Sequence, residues 1–135
     1  MNPILRNILA VVAGWIAGSI VNMGLVMAGH AIFPMEGVNT EDMEAVAAFL
    51  EDAGNEYFLF PFLAHALGTL AGAAIAALIA STRKKLMALI VGGLFLIGGI
   101  MVNFMIPAPT WFIALDLVVA YIPMAWIGGK LASKS

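Results

Sequence analysis

The chain of 135 residues carries 63% hydrophobic and 10% charged residues, a mean hydropathy of +1.04 and a formal net charge of −2. Soluble domains average about 45–50% apolar and about 25% charged residues, so this composition excludes an ordinary soluble domain and predicts an all-α integral membrane protein. The chain has no cysteine, which excludes disulfides, thiolate nucleophiles and cysteine-bound metal clusters.

Four apolar runs have close to the ~20 residues that cross a ~30 Å hydrocarbon layer. They cover about residues 8–33, 57–80, 86–106 and 110–129 of a single domain, residues 1–135. The first run exceeds the ~7–15-residue apolar region of a signal peptide, so we expect a retained helix. The links at 81–85 and 107–110 are too short to cross a bundle. The pattern therefore predicts an up-down-up-down four-transmembrane-helix bundle.

Between the first two runs lies a polar loop, residues 34–56. It predicts a short acidic amphipathic helix over about residues 40–53, because Asn39 or Thr40 can cap it and apolar residues recur at helical spacing. The apolar residues are Met43, Val46, Ala47 and Leu50. Two interpretations stay open: a surface connector seated on the bundle, or a lid whose acids concentrate cations.

Charge is sorted between the two ends of the predicted bundle. The six basic residues all flank one set of helix ends: Arg6, Arg83, Lys84, Lys85, Lys130 and Lys134. Seven of the eight acids lie in the loop: Glu36, Glu41, Asp42, Glu44, Glu51, Asp52 and Glu56. The positive-inside rule therefore predicts cytoplasmic termini and an outside loop. The three consecutive basic residues 83–85 at a cytoplasmic turn serve topology, so we expect no nucleic-acid partner. The overall pattern resembles small four-span bacterial membrane proteins but contains no defined family motif. The predicted location is the bacterial inner membrane.

The eighth acid, Asp116, lies inside the fourth run, and each other run contributes one strongly polar residue. At ~1.5 Å per residue from the basic ends, the heights are about 21 Å for Asp116, 24 Å for Asn22, and 27 Å for both His65 and Asn103. Small residues share the helical faces of Asn22, His65 and Asn103, and such faces mark close helix packing in membranes. An ionisable residue such as Asp116 costs about 2.5–3.5 kcal/mol at the centre of a span, which favours a position next to polar partners. We therefore predict an inward polar layer in the outer half of the bundle.

The candidate ligand-binding or ion-binding site consists of Asp116, His65, Asn103, Asn22 and Thr69, the last on the same helical face as His65. Burial disfavours a charged carboxylate and a neighbouring imidazole favours it, so an Asp116–His65 pair could trade a proton or hold a cation. In the alternative interpretation these residues only satisfy one another and fix the helix register.

Pro123 is a candidate hinge, because it cannot donate a hydrogen bond to the carbonyl of Val119 and should kink or loosen the helix. Proline also occurs in transmembrane helices for packing alone, and that alternative stays open.

Enzyme chemistry is poorly supported: the chain shows no phosphate loop, no H-E-x-x-H motif and no Ser/His/acid constellation, and we predict no cofactor. Metal binding is left open, since a set of methionines with one histidine would suit Cu(I) but methionine is also an ordinary packing residue. That set is Met23, Met27, Met101, Met105 and His30.

Two functional hypotheses follow from the polar layer. The first is a binding or transport protein for a proton, a cation or a small polar molecule. The second is a structural or accessory subunit of a larger membrane complex, with the polar layer serving packing only. Because four helices enclose little volume, a transporter of this size is expected to form a homodimer in the lipid bilayer.

Overall fold

A computed structural model describes residues 1–133. All regular secondary structure in these residues is helical, and they contain no strand. The elements are α1 (Pro3–Ile32), α2 (Met43–Glu51), a 3-10 turn (Asn55–Phe58), α3 (Leu59–Ile79), α4 (Lys84–Met105), α5 (Thr110–Val119) and α6 (Ile122–Ser133). Four stretches are long and apolar enough to cross a membrane: Pro3–Ile32, Asn55–Ile79, Lys84–Met105 and Thr110–Ser133. The predicted four long apolar helices are confirmed. Lys134 lies outside the described residues.

Helix α1 begins before its apolar run, because Asn2 and Pro3 form a strong start signal. The side-chain oxygen of Asn2 accepts a hydrogen bond from the backbone N–H of Ile4 at 2.8 Å, and Pro3 occupies the first helical position. Proline is favoured there because its missing N–H would have no partner in the helix. The resulting 30-residue helix is about 45 Å long, so it extends beyond a ~30 Å hydrocarbon layer.

The loop helix α2 has a different cap from the predicted one. The carboxylate of Asp42 accepts from the N–H groups of Glu44 and Ala45. Asn39 instead closes the preceding turn by accepting from the N–H of Glu41 at 3.0 Å. The helix is therefore shorter than the predicted 40–53, because the strongest acceptor before the apolar residues is Asp42.

Glycines bring the backbones of α1 and α3 into direct contact. A β-carbon placed on Gly18 would lie 2.6 Å from the carbonyl oxygen of Gly68, and one on Gly72 would lie 2.5 Å from the carbonyl oxygen of Gly14. No side chain fits at these positions. Since Gly14 meets Gly72 and the later Gly18 meets the earlier Gly68, the two helices run in opposite directions.

Helix α6 packs against α3 and α4 through small residues. Gly128 lies against the carbonyl of Leu70, and Gly92 lies against Ala125. The buried core is accordingly rich in alanine, and Phe95 packs against two of its clusters. Small residues permit the close van der Waals contact on which helix association in lipid depends.

Helices α1 and α4 contact each other near Ala10 and Gly18. Ala10 packs with Met87 and Val91, and a β-carbon on Gly18 would overlap the ring of Phe95. Beyond Phe95 lies a cavity that Asn22 also lines, and toward the basic end lies an apolar groove that Met87 lines.

At the basic end, side chains cap the C-terminus of α3. Arg6 Nε donates to the carbonyl of Ile79 at 2.6 Å, and Lys84 Nζ donates to the carbonyls of Ala77 and Ala80 at 2.9 Å each. Cations here complement the negative end of the helix dipole.

Asn7 fixes the turn that follows α3. Its Oδ1 accepts from the N–H groups of Ser81 and Thr82 at 2.9 and 3.3 Å, and its Nδ2 donates to Thr82 Oγ1 at 2.9 Å. The turn ends at Arg83, which has the left-handed backbone angles φ 47° and ψ 47°. For a residue with a side chain that conformation costs about 1–2 kcal/mol.

Aromatic rings hold the loop against the other end of the bundle. Phe49 of α2 makes an edge contact with Tyr57 at 5.1 Å between ring centroids, and the Tyr57 hydroxyl donates to the carbonyl of Pro34 at 3.4 Å. Phe58 packs against Phe112, also at 5.1 Å. These contacts seat the loop on the bundle, and the lid whose acids concentrate cations stays a prediction.

We expect Gly14→Ala to reduce the free energy of unfolding by about 1–3 kcal/mol, because the new methyl group would overlap the Gly72 carbonyl and lie 2.9 Å from the β-carbon of Ala76. Gly24→Ala on the same helix is the matched control, since a β-carbon there meets nothing within 4 Å. Unfolding in SDS titrations, followed by circular dichroism, measures both. Equal stability of the two variants would contradict the close helix contact.

Candidate functional site

Asp116 is fully buried, and both of its carboxylate oxygens have side-chain partners. His65 Nδ1 lies 2.8 Å from Oδ1, and the Tyr121 hydroxyl donates to Oδ2 at 3.2 Å. A buried carboxylate without such partners is strongly disfavoured. The structure therefore brings together two predicted site residues, Asp116 and His65, and adds Tyr121 to them.

Tyr121 reaches Asp116 because the helix is interrupted between them. Helix α5 ends at Val119 and α6 begins at Ile122, one residue before Pro123, which has no N–H to donate. In a continuous helix, residues five apart point about 140° away from each other. The break between the two helices lies at Ala120 and Tyr121, next to the candidate hinge Pro123.

Two neighbours fix the ring of Tyr121. The ring stacks on His65 with centroids 5.7 Å apart and an interplanar angle of 29°. Its hydroxyl lies over Gly99, where an added β-carbon would overlap it. Tyr121 was not among the site residues predicted from the sequence, and Pro123 was the signal that could have indicated it.

A cavity of about 180 Å³ adjoins this group. Its wall combines Asn22 of α1, His65 and Thr69 of α3, Phe95 of α4, and Tyr121. Two glycines of α4, Gly98 and Gly99, also line the cavity. Asp116 is not part of the wall, so His65 and Tyr121 stand between the carboxylate and the cavity.

Three polar groups on the cavity wall have no hydrogen-bond partner within residues 1–133. Thr69 Oγ1 is buried and unpartnered, in a residue that is 1% exposed. The Asn22 amide and His65 Nε2 also have no bond to a described residue, and the His65 side chain is 19% exposed. Of these groups only Thr69 Oγ1 is a buried atom, and an unsatisfied buried polar atom is uncommon in proteins. Asn22 and His65 are partly exposed, so their polar atoms are the ones that a guest in the cavity can contact.

Asn103 does not join the site. Its Nδ2 donates to the carbonyl of Gly99 on its own helix at 3.0 Å, and it does not line the cavity. An amide side chain can bond to the carbonyl four residues earlier, and that local bond holds Asn103 away from the other polar residues.

The methionine and histidine set is not brought into the cavity. His30 lines a separate cavity of about 30 Å³, with Tyr57 and Phe60 among its neighbours. Within residues 1–133, no group of three or more His, Asp or Glu side chains could hold a metal ion.

Comparison of the chain with models of known protein families, with curated proteins and with solved structures finds no match.

A double-mutant cycle between His65→Ala and Asp116→Ala should give a coupling energy of roughly 0.5–2 kcal/mol in unfolding, because each variant removes the partner of the other. The matched control pairs Asp116→Ala with His30→Ala, the other histidine of the chain. That pair should be additive within about 0.5 kcal/mol. An additive His65–Asp116 cycle would contradict a direct bond between them.

Proposed function

We propose that the chain inserts into a bacterial inner membrane as an up-down-up-down bundle, with its termini in the cytoplasm and the loop 34–56 outside. Four helices of suitable length and composition support insertion. The order of contacts supports the topology: Gly14 and Gly18 of α1 meet α3 in opposite order, whereas Ala10 and Gly18 meet Met87 and Phe95 of α4 in the same order. The basic helix ends would then face the cytoplasm.

Within this bundle we propose a non-enzymatic binding or transport function for a proton or a small polar molecule, with His65 as the contact residue. The observation that carries the proposal is the 2.8 Å contact between His65 Nδ1 and Asp116 Oδ1, made by a histidine that lines the cavity. When Nδ1–H donates to the carboxylate, Nε2 presents its lone pair to the cavity, since a neutral imidazole has one donor and one acceptor nitrogen.

Proton uptake at Nε2 has a clear electrostatic effect on the pair. A carboxylate beside a neutral imidazole carries one buried negative charge, and protonation turns it into a neutral ion pair. Buried charges are disfavoured unless they are paired. The Tyr121 hydroxyl, 3.2 Å from Oδ2, stabilises the carboxylate in both states. The same Nε2 atom can instead accept a hydrogen bond from a polar guest.

The site is less suited to a metal cation than to a proton or a neutral guest. Both Asp116 oxygens are engaged by His65 and Tyr121, and the carboxylate does not line the cavity. A guest meets the imidazole of His65 and the amide of Asn22, because Thr69 Oγ1 is buried and the Tyr121 hydroxyl is bound to Asp116. The volume of about 180 Å³ is comparable to that of a ~150 Å³ cavity in another protein that holds benzene. A guest about the size of one ring, or a few waters, fits.

An accessory role in a larger membrane complex, or in a homodimer, is the second proposal. It is favoured by the mutual satisfaction of Asp116, His65 and Tyr121 inside one protomer, because such a group can serve packing without any guest. The two proposals differ in whether the site responds to pH or to an added guest.

Infrared difference spectra between about pH 5 and pH 8, the range in which histidine normally changes charge, should show a carboxyl or carboxylate band assigned to Asp116. We expect Asp116→Asn and His65→Gln to abolish it, because each removes one member of the pair. Glu56→Gln, a loop acid, is the control and should retain it. A proteoliposome flux assay on the same variants tests transport. If no Asp116 band responds and Asp116→Asn retains wild-type flux, the accessory role is favoured instead.

Single cysteines test the topology, since the natural chain has none. Asp52→Cys should react with an impermeant maleimide added to intact cells. Ser81→Cys should react only after the membrane is opened, because its turn lies beside the basic residues. Gel-shift labelling measures both, and the reverse pattern would overturn the proposed orientation.

A further inference from the structure

An apolar groove of about 550 Å³ opens between α1 and α4 at the basic end. Its walls are aliphatic side chains, and one end is polar, with Asn7, Thr82 and Arg83. The aliphatic residues are Ile4, Ile8, Val11, Val12, Leu86 and Ile90. The groove therefore combines a channel for a hydrocarbon chain with a polar, positively charged mouth.

Arg83 at this mouth is not engaged by the protein. Arg6 and Lys84 cap the C-terminus of α3, and Lys130 lies over the ring of Trp126 at 4.8 Å from its centroid. The Arg83 side chain has no hydrogen bond or ion pair with any residue of the described part of the chain, 1–133, and it lines the groove. A free guanidinium presents a fork of donors that matches a phosphate group.

The start of α4 adds to this positive field. Arg83 is the N-cap residue, and no side chain caps the helix there. The first N–H groups of a helix lack partners within it, and the helix dipole is positive at this end. Thr82 adds a hydroxyl at the same mouth. The charge and the donors thus converge at the end of a groove that suits an acyl chain.

We propose that this groove binds an anionic phospholipid, with the phosphate at Arg83, Thr82 and the start of α4, and one acyl chain along the aliphatic walls. The inference rests on the proposed membrane placement, which puts the basic end at the level of the lipid headgroups. Basic pockets between transmembrane helices on the cytoplasmic side are suited to anionic headgroups. A zwitterionic lipid has the same chains but no net charge to match Arg83.

Native mass spectrometry of the purified protein with equal amounts of phosphatidylglycerol and phosphatidylcholine tests the charge. We expect phosphatidylglycerol adducts to dominate and Arg83→Gln to lower that preference about fivefold. Arg83→Gly, which keeps the left-handed backbone favourable, should lose the preference for phosphatidylglycerol to the same extent. Lys130→Gln is the control at the same end of the bundle and should retain that preference. Equal loss in all three variants would show nonspecific attraction and overturn the proposal.

The groove itself is tested by blocking it. Val12→Trp fills the aliphatic wall without changing charge and should reduce phosphatidylglycerol binding. Ile16→Trp, another exposed residue of α1 that does not line the groove, should not. Excess inorganic phosphate should fail to displace the lipid, because it cannot occupy the aliphatic part; displacement would overturn the lipid assignment. The cysteine-labelling assay reports membrane insertion separately, so a failed insertion is distinguishable from a failed lipid site.

Discussion

The backbone contact between α1 and α3 sets the level at which the polar residues lie. Gly14 and Gly18 meet Gly72 and Gly68 without intervening side chains, which fixes the relative height of the two helices. Asn22 lies one turn beyond Gly18. It packs beside Gly68 and lines the same cavity as His65. Association in lipid gains little from hydrophobic burial, so close contact between small residues supplies much of the attraction. The same glycines therefore determine both stability and site geometry.

The site has two layers with different environments. Asp116 lies in the dry interior, with one oxygen bound by His65 and the other by Tyr121. The cavity beyond it is lined by neutral groups, including Asn22 and Thr69. A carboxylate in direct contact with the guest would attract cations, whereas here its charge acts through an imidazole. In the proposed function, a proton or a polar guest is therefore received by His65 and not by Asp116.

The four helices and the Asp116–His65 contact were accessible from sequence, because apolar length and helical rise are local properties. Tyr121 was not, since a regular helix would point it about 140° away from Asp116, and the break between α5 and α6 at this point is not evident from helical periodicity. Asn103 was predicted to join the polar layer because of its height in the bundle. In the structure its side chain instead donates to the Gly99 carbonyl of its own helix, and this local bond satisfies it. Helical periodicity cannot indicate which partner a side chain selects.

Phe95 separates the two binding spaces proposed along the α1–α4 seam. Its ring lies against Gly18 and Gly72, lines the polar cavity and packs with the buried cluster that contains Ala10 and Met87. The apolar groove begins on the other side of that cluster. A lipid chain in the groove is therefore kept from His65 by packed side chains, and a guest in the cavity does not contact Arg83. The two proposed sites call for different ligands because the cavity presents the imidazole of His65 and the amide of Asn22, whereas the groove presents aliphatic side chains and the unpaired guanidinium of Arg83.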